Sequence, residues 1–410
     1  MRALRQALRR FTAGFSPSST PDPHTLHARG INEENPARYC LGGYHPVRIG
    51  DEFNGGAYRV ISKLGYGLYS TVWLARNLRT NQHVALKVLT ADSFGGIKDT
   101  FELEVLKQIT TRHIESHHVL GLLDEFRLAG PNGQHVCLVV KAMGPDLSKY
   151  RKLFPRKRIP VAIAKKISKQ LLDALVFLHE TCQVIHTDIK PQNILLETTE
   201  INEMFAHAPS ELFMPQSPPL PPPHDYYMQS EQVSSGEEDL TMPHDVSVRL
   251  ADFGTLKLRF FAASFFDKHL TEWIQPPMLR APEVILGAQW DHKADIWNLG
   301  LIIWELVQGQ LVFDGQATAT ADYSSEAHLS QMVAILGPLP KSLLGRSRHG
   351  QIVGGTVFTP RTLGQINKKN NIPGADAEFE DFISSMVRLE AQERPDARDL
   401  LKSRWLADAQ

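Results

Sequence analysis

The chain has 410 residues, of which 42% are hydrophobic and 22% charged, and this excludes a collagen-like, coiled-coil or wholly disordered protein. The net charge of −1 excludes a surface built throughout to coat nucleic acid, so we expect no direct nucleic-acid partner. The three cysteines show neither metal-ligand spacing nor a disulfide framework, which is typical of a reducing compartment. No apolar run approaches ~18 residues, so we expect no membrane-spanning helix.

The first twenty residues contain four arginines and no acidic residue, and Leu4, Leu8, Phe11 and Phe15 fall on one helical face. This pattern is typical of a mitochondrial presequence, but a disordered basic tail with chance periodicity would give it as well. Both interpretations stay open at this point. We assign residues 1–56 to a basic, partly disordered N-terminal extension.

Short β-rich runs alternate through residues 57–90 and recur at 136–142, with a helical segment near 98–109 between them. Beyond residue 145 the pattern is mostly helical, at 161–180, 294–308, 326–336 and 378–389. A strand-rich start followed by a helix-rich remainder predicts an α+β protein with two lobes. We place the smaller lobe at residues 57–143 and the larger lobe at 144–410.

Residues 198–246 interrupt the larger lobe with a different composition. They contain eight prolines and nine acidic residues but no Lys or Arg, so this segment carries −9 and the rest of the chain +8. Low hydrophobicity with high net charge predicts a disordered, proline-rich acidic insert. Ser234 and Ser235 precede Gly-Glu-Glu-Asp, which fits either an acid-directed phosphorylation site or an unmodified solvated segment.

A candidate phosphate-binding hairpin spans Leu64–Val72, with the sequence LGYGLYSTV. Gly65 and Gly67 let backbone N–H groups approach phosphate oxygens, while Ser70 replaces the third glycine of G-x-G-x-x-G. A dinucleotide-binding turn is excluded because a strand follows instead of a helix. A plain glycine-containing hairpin is the alternative at this stage.

Lys87 ends the apolar run VALK and is costly there unless it meets an anion. A phosphate or a carboxylate would satisfy it, and the next helix offers Glu102 and Glu104. We prefer Glu102, because Leu106 four residues later would then face inward. The alternative is a lysine that extends to solvent from a strand end.

The strongest signal is Ile185–Leu196, with the sequence IHTDIKPQNILL. Asp188 can orient an attacking hydroxyl and accept its proton, and Lys190 can neutralise charge on a transferring phosphoryl group. Asn193 can hold a divalent cation. This spacing predicts a catalytic loop between a helix and an apolar strand.

Three later features fit the same chemistry. Asp252 and Phe253 begin the sequence Asp-Phe-Gly, in which Asp252 is the second expected metal ligand and Phe253 is expected to pack under the helix that bears Glu102. Asp-x-Gly alone is equally a turn. Glu283 of Ala-Pro-Glu is expected to form a buried ion pair with Arg394. Asp295 opens a helix and is expected to accept backbone N–H bonds from the catalytic loop.

These motifs, in this order and over about residues 57–406, resemble the protein-kinase signature set. A finer similarity to the serine/arginine-protein kinase family lies in YCLGGYHPVRIGD at 39–51, in LLDEF at 122–126 and in the spacer after Asn193-Ile-Leu-Leu. The resemblance implies a bilobal kinase fold, ATP with Mg²⁺ as cofactors, and transfer of the γ-phosphate to Ser or Thr.

The resemblance also assigns the site. It implies these catalytic residues: Lys87, Glu102, Asp188, Lys190, Asn193 and Asp252, with Asn193 and Asp252 as the metal ligands. It implies these nucleotide-binding residues: Leu64, Gly65, Tyr66, Gly67, Leu68, Tyr69, Ser70, Thr71, Val72, Ala85, Lys87, Lys141, Met143 and Leu195. The adenine is expected between Val72 and Ala85 above and Leu195 below, and its edge is expected to pair with the Lys141 carbonyl and the Met143 N–H.

The implied partners are protein substrates with Ser or Thr acceptors, with arginine/serine-rich proteins as one class. The resemblance further implies a monomer located in the cytoplasm and nucleus, which weakens the mitochondrial interpretation of residues 1–20. The alternative function is a catalytically weak or silent kinase fold that acts as a scaffold.

Three departures from the family pattern bear on activity and substrate. Thr187 stands where many kinases have Arg, so activity should not require an activation-loop phosphate. Pro276 stands where many Ser/Thr kinases have a Thr that bonds the catalytic Asp and Lys. By the resemblance, Gln310, Ala327 and Ala334 match the acidic groove positions with which that family binds arginine-rich substrates, and none of the three is acidic.

Overall fold

A computed structural model of the protein describes residues 33–93, 101–112, 118–197, 225–231, 246–254, 264–265, 273–350 and 357–409. The candidate presequence at 1–20, the serines at 234–235 and most of the acidic insert lie outside these ranges. No helix in the described part of the chain is long and apolar enough to cross a membrane.

The smaller lobe is a six-stranded antiparallel sheet with the strand order β1-β2-β3-β4-β6-β5. Its strands are β1 (Glu52–Phe53), β2 (Tyr58–Gly67), β3 (Ser70–Asn77), β4 (His83–Leu89), β5 (Leu122–Gly130) and β6 (Gly133–Lys141). Helix α1 (Glu102–Thr111) packs beside β5. Because β1 pairs with β2, the sheet begins at Glu52, before the predicted boundary at residue 57.

The larger lobe is mainly helical, as predicted. Its helices are α2 (Leu147–Tyr150), α3 (Val161–Val176), α4 (Pro282–Ile285), α5 (Lys293–Gln308), α6 (Ser325–Leu336), α7 (Lys341–Gly345), α8 (Leu363–Asn370), α9 (Ala377–Met386) and α10 (Ala397–Leu400). Helix α5 is buried around almost its whole circumference, polar residues included, and forms the centre of the lobe. Trp304 of α5 stacks on Phe379 of α9 with ring centroids 6.0 Å apart.

Two small sheets carry the loops between the lobes. Strand β7 (Val184–Ile185) pairs with β10 (Ser264–Phe265), and β8 (Ile194–Leu196) pairs with β9 (Val248–Leu250). The predicted catalytic loop therefore runs from β7 to β8, and the acidic insert leaves the lobe between β8 and β9. Because β8 and β9 are paired in register, Asn193 and Asp252 emerge at the same end of this two-stranded sheet.

The expectation that the insert is disordered throughout 198–246 is wrong for residues 225–231. Tyr227 and Met228 are 0% and 2% exposed, and the Glu231 N–H donates to the Lys63 carbonyl of β2 at 2.7 Å. The prediction rested on the average composition of the insert, which hides the short apolar run Tyr226-Tyr227-Met228. These three side chains offer enough apolar surface for burial. This part of the insert packs on the smaller lobe.

Candidate active site

A cleft of about 1070 Å³ lies between the two lobes and contains all six predicted catalytic residues. The β2–β3 hairpin, β4, the end of β6 and the catalytic loop form its walls. Every predicted nucleotide-binding residue except Thr71 lines it. The separate sequence motifs therefore meet in one cavity of a size that suits a nucleotide.

Thr71 is a correction to the predicted nucleotide site. Successive side chains of a strand point to opposite faces, so Ser70 and Val72 of β3 face the cleft while Thr71 points away from it. The Thr71 side chain is fully buried, and its hydroxyl accepts a hydrogen bond from Trp73 Nε1 at 2.9 Å. Thr71 supports the hairpin from behind.

The inner end of the cleft is apolar. Met143 and Leu195 belong to one small cluster with Leu120 and Ala251, and all four line the cleft. Lys141 is the last residue of β6, and its Nζ lies 2.8 Å from Glu197 Oε1. Because its side chain is engaged there, the backbone of Lys141 is the part that remains for contacts in the cleft. This apolar surface is compatible with an adenine between Val72, Ala85 and Leu195, a position that stays a prediction.

Lys87 lies between two carboxylates. Its Nζ is 2.6 Å from Glu102 Oε1 and 2.8 Å from Asp252 Oδ1, so the structure selects Glu102, while Glu104 is exposed. Leu106 is buried, as the choice of Glu102 required. These contacts join β4, α1 and the segment after β9 at a single ammonium group.

Lys87 and Asp252 stabilise each other's charge. Burial, and to a lesser extent the Asp252 charge, raises the pKa of Glu102, although the Lys87 charge lowers it. Burial alone would lower the pKa of Lys87, but the carboxylates of Asp252 and Glu102 outweigh it and leave that pKa raised. Burial raises the pKa of Asp252 by itself, yet Lys87 holds it below its usual value. Lys87 is therefore a fixed cation and Asp252 a fixed anion at neutral pH.

Asp188 is held by its neighbours in the catalytic loop. Lys190 Nζ donates to Asp188 Oδ2 at 2.6 Å, and Asn193 Nδ2 donates to the same oxygen at 2.9 Å and to the Asp188 carbonyl at 2.9 Å. Asp188 is 7% exposed and lines the cleft. A carboxylate oriented in this way can position a hydroxyl and accept its proton.

Asp295 anchors the loop from beneath, as predicted. Its carboxylate accepts the backbone N–H groups of His186 and Thr187, each at 2.8 Å, and it also bonds His179 Nε2 at 2.9 Å. Burial raises the pKa of Asp295 by itself, but these hydrogen bonds and the neighbouring histidines bring it below its usual value. A buried anion therefore fixes the backbone that carries Asp188.

The donor set near Asp188 fits a magnesium ion. Because the amide nitrogen of Asn193 is bonded to Asp188, the Asn193 amide oxygen is the ligand atom it would offer. The Asp252 carboxylate, 36% exposed, borders the same cleft. Mg²⁺ is commonly held by one or two such oxygen ligands together with phosphate oxygens, whose charge it neutralises.

Glu283 and Arg394 form the predicted buried ion pair. Arg394 Nη1 and Nη2 donate to the two Glu283 oxygens at 2.6 and 2.7 Å, and both side chains are almost fully buried. The Arg394 guanidinium also lies 4.9 Å from the centroid of the Trp297 ring. This pair ties α4 to the C-terminal part of the lobe.

The expected groove positions are only partly exposed. Gln310 is exposed and Ala334 half-buried, but Ala327 is completely buried, so Ala327 cannot line a groove and that assignment is wrong. The Ala327 N–H also donates to the Ser324 hydroxyl at 3.1 Å, which caps the first turn of α6. The exposed acidic neighbour is Glu326.

Sequence reasoning missed several residues around the cleft. Trp273 and Gln275 line it beside Pro276, and Trp273 lies under the Arg280 guanidinium at 5.1 Å. Tyr44 does not line the cleft, but its hydroxyl donates to the Gly67 carbonyl of the hairpin at 2.8 Å. Trp273 and Gln275 stand beside recognised motifs, and Tyr44 lies within the motif at 39–51, but the sequence assigned none of them a role.

Comparison with known proteins agrees with this geometry. A family model for the protein kinase domain matches residues 58–406. The chain is 31% identical over 407 residues to "Serine/threonine-protein kinase SRPK" of Physarum polycephalum, with 92% of each chain covered. It is 28% identical over 478 residues to "Protein kinase dsk1" of Schizosaccharomyces pombe, covering 92% of this chain and 85% of that one.

A third relative is "SRSF protein kinase 3" of Homo sapiens, at 25% identity over 545 residues, covering 95% of this chain and 93% of that one. The chain belongs to the protein kinase family, and it is a Ser/Thr protein kinase that resembles the SR-protein kinases. The predicted bilobal α+β fold is confirmed.

Proposed function

We propose that this member of the protein kinase family is catalytically active and transfers the γ-phosphate of ATP to Ser or Thr hydroxyls of proteins. The observation that carries the proposal is the complete set of charged side chains in one cleft. Lys87 is paired with Glu102 and Asp252, and Asp188 is paired with Lys190 and Asn193, at distances of 2.6–2.9 Å.

Each side chain would have one task. The hairpin and Lys87 would hold the phosphates, and Asp188 would orient the acceptor hydroxyl and take its proton as the bond to phosphorus forms. Lys190 would neutralise charge on the transferring group. Asn193 and Asp252 would hold Mg²⁺.

The silent-scaffold alternative rested on Pro276, which cannot bond Asp188 and Lys190 through a hydroxyl. In the structure Lys190 and Asn193 hold the Asp188 carboxylate without such a hydroxyl. The loss of one hydrogen bond from this network does not leave Asp188 unsupported. The geometry therefore favours the active kinase.

The test is phosphorylation of a degenerate peptide library by the purified protein with ATP and Mg²⁺. Asp188→Ala should lower kcat about a hundredfold or more, because positioning and proton acceptance are both removed. Asp381→Ala, which removes an exposed carboxylate from α9, is the matched control and should change nothing. Equal activity of Asp188→Ala and the unmodified protein would contradict the proposal.

For the substrate, we propose a weaker preference for arginine than an acidic groove would give. Gln310 and Ala334 offer no carboxylate, and residues 341–369 contain six basic residues and no acid. All six are exposed, and Arg346 also forms an ion pair with Glu390. A polycationic substrate would meet repulsion along this face.

Long Arg-Ser and Lys-Ser repeat peptides, compared at two salt concentrations, test the substrate proposal. We expect similar, weak binding of both, because no cluster of carboxylates recognises the guanidinium fork. Tight, strongly salt-sensitive binding of Arg-Ser alone, with many phosphates added per encounter, would contradict it. That result would leave the proposal of kinase activity intact.

For its location, we propose that the protein acts as a monomer in the cytoplasm and nucleus, on the basis of its family resemblance. Imaging of a C-terminally tagged chain, with and without residues 1–20, tests the location, and mitochondrial import of the full chain would contradict it.

A further inference from the structure

Two segments that are far apart in sequence form one layer on the smaller lobe, next to β2. We call this layer the clasp; it consists of residues 33–44 and of residues 225–231 from the insert. Its centre is a tyrosine cluster in which the Tyr39 ring lies 5.4 Å from Tyr44, 4.7 Å from Tyr226 and 6.4 Å from Tyr227. The Tyr227 hydroxyl donates to the Glu34 carbonyl at 3.0 Å.

Lys63 of β2 fastens both segments of the clasp to the sheet. Its ammonium is completely buried and bonds Glu33 at 3.1 Å, the Glu34 carboxylate, and the Met228 carbonyl at 3.1 Å. A buried ammonium requires such partners, so the two segments and β2 are held as a unit. Ser230 adds two hydrogen bonds to Glu33, at 2.6 and 2.9 Å.

The clasp reaches the tip of the phosphate-binding hairpin through Tyr44. The Tyr44 hydroxyl donates to the Gly67 carbonyl at 2.8 Å and lies 3.2 Å from the Leu68 carbonyl. Arg38 lies between the rings of Tyr44 and Tyr69, 5.6 and 5.8 Å from their centroids. Burial, the largest of several influences, raises the pKa of Tyr44 to about 12, so the hydroxyl is a donor at neutral pH.

The backbone that presents Tyr44 is equally constrained. A Cβ on Gly43 would lie 1.7 Å from the Arg38 carbonyl oxygen, so only glycine allows this close turn. The Tyr44 N–H donates to that same Arg38 carbonyl at 2.9 Å, and Asn132 Nδ2 donates to the Tyr44 carbonyl at 2.6 Å. Tyr44 is therefore a fixed point against which the hairpin rests.

We propose that Tyr44 is a positioning residue for ATP, and that the insert residues 225–231 contribute by holding Tyr44 in place. Tyr44 does not line the cleft; it acts on the backbone of the hairpin whose N–H groups are to bind the phosphates. A hairpin ordered beforehand loses less entropy when the nucleotide binds, so its affinity is higher. This inference rests on the proposed kinase function.

The test is Tyr44→Phe, which keeps the ring and removes the hydroxyl. We expect KM for ATP, and the dissociation constant of a fluorescent ADP measured without turnover, to rise about three- to tenfold. This is the change in affinity that the loss of one hydrogen bond would cause. The kcat at saturating ATP should stay within about twofold. A merely structural role would instead lower the active fraction and the melting temperature, with KM unchanged.

Tyr58→Phe is the matched control, because the Tyr58 hydroxyl also makes a 2.8 Å hydrogen bond, to Asp124, at the other end of β2. It should leave KM and the ADP affinity unchanged. An unchanged KM in Tyr44→Phe, or an equal rise in both variants, would overturn the proposal for Tyr44.

A second variant tests the insert by replacing residues 226–230 with Gly and Ser at constant length. It should raise KM for ATP by a similar factor, and Tyr44→Phe added to it should have little further effect. An unchanged KM, or two fully additive effects, would overturn the role of the insert. If the unmodified protein neither bound ADP nor transferred phosphate, the proposed function itself would fail; if it did both and the variants changed nothing, only this inference would fail.

Discussion

Gly254→Ala adds one methyl group where the structure has no room for it. The new Cβ would lie 2.3 Å from Glu102 Oε2 and 2.8 Å from Glu102 Cβ. Rotation of the Glu102 side chain relieves the first contact but not the second, so the backbone of α1 or of Gly254 must shift. Since Glu102 is the partner of Lys87 at 2.6 Å, we expect this movement to break their ion pair.

The size of the effect follows from the bond that is lost. A hydrogen bond between charged groups is worth about 1.5–3 kcal/mol, so its loss from the catalytic arrangement predicts a decrease in kcat of about 10- to 150-fold. The assay is steady-state phosphorylation of the best library peptide, with near-native melting temperature as proof of folding. The control is Gly345→Ala, whose added Cβ meets nothing within 4 Å. A kcat unchanged in Gly254→Ala would refute the claim that the Lys87–Glu102 contact depends on this close approach.

Three further predictions concern stability. Arg394→Met should lower the free energy of unfolding by about 3–5 kcal/mol in urea titrations, because it leaves the Glu283 charge buried and unpaired. The control, Arg398→Met, breaks an exposed pair with Glu180 and should have no measurable effect. Burial raises the pKa of Glu197, but hydrogen bonds from Lys141, Ser247 and Arg249 outweigh it and lower that pKa from 4.5 to about 2. Because the folded-state pKa is depressed, Glu197 stabilises the fold fully above pH 4.5 and loses this contribution as the pH falls toward 2. The difference in melting temperature between the protein and Glu197→Gln should therefore disappear over that pH range. Deletion of residues 232–245 should leave the melting temperature unchanged, since shortening a connection alters closure entropy little. The Gly/Ser replacement of 226–230 should lower the melting temperature, because the burial of Tyr227 and Met228 is lost. Equal melting temperatures for the two variants would contradict the packing of residues 225–231.

The charged centre of the cleft was predictable because its chemistry restricts the residue types. A lysine in an apolar strand needs an anion, and a carboxylate, a lysine and an asparagine at fixed spacing have few other uses. Helical periodicity even selected Glu102 over Glu104, because it placed Leu106 on the inner face. The prediction for Thr71 was wrong because every residue of the motif was assigned to the nucleotide site, although alternate side chains of β3 point to opposite faces.

The clasp was not predictable because its contacts join residues that are about 190 positions apart along the chain, such as Glu34 and Tyr227. No local periodicity records such a contact. The average composition of 198–246 is acidic and proline-rich and hides the short apolar run at 226–228. Residues 225–231, which pack on the smaller lobe, were therefore predicted to be disordered like the rest of the insert. The prediction for Ala327 was wrong for a related reason. Alignment to a family position gives a residue number, whereas burial depends on which face of α6 packs on the lobe, and Ala327 lies on that face.

The departures at Thr187 and Pro276 are connected through Gln275. The Gln275 N–H donates to the Thr187 carbonyl at 3.0 Å, so the segment before Ala-Pro-Glu is bonded directly to the catalytic loop. The Gln275 side chain is buried, accepts from the Ala281 N–H at 2.8 Å and donates to Asn298 at 2.6 Å. The neutral amide of Gln275 thus ties the end of this segment to α5 and to the residue before α4. The same residue explains how Asp188 keeps its place beside a proline: the loop is held from below by Asp295 and from the side by Gln275, so the hydroxyl missing at Pro276 removes one contact from a backbone that is already fixed.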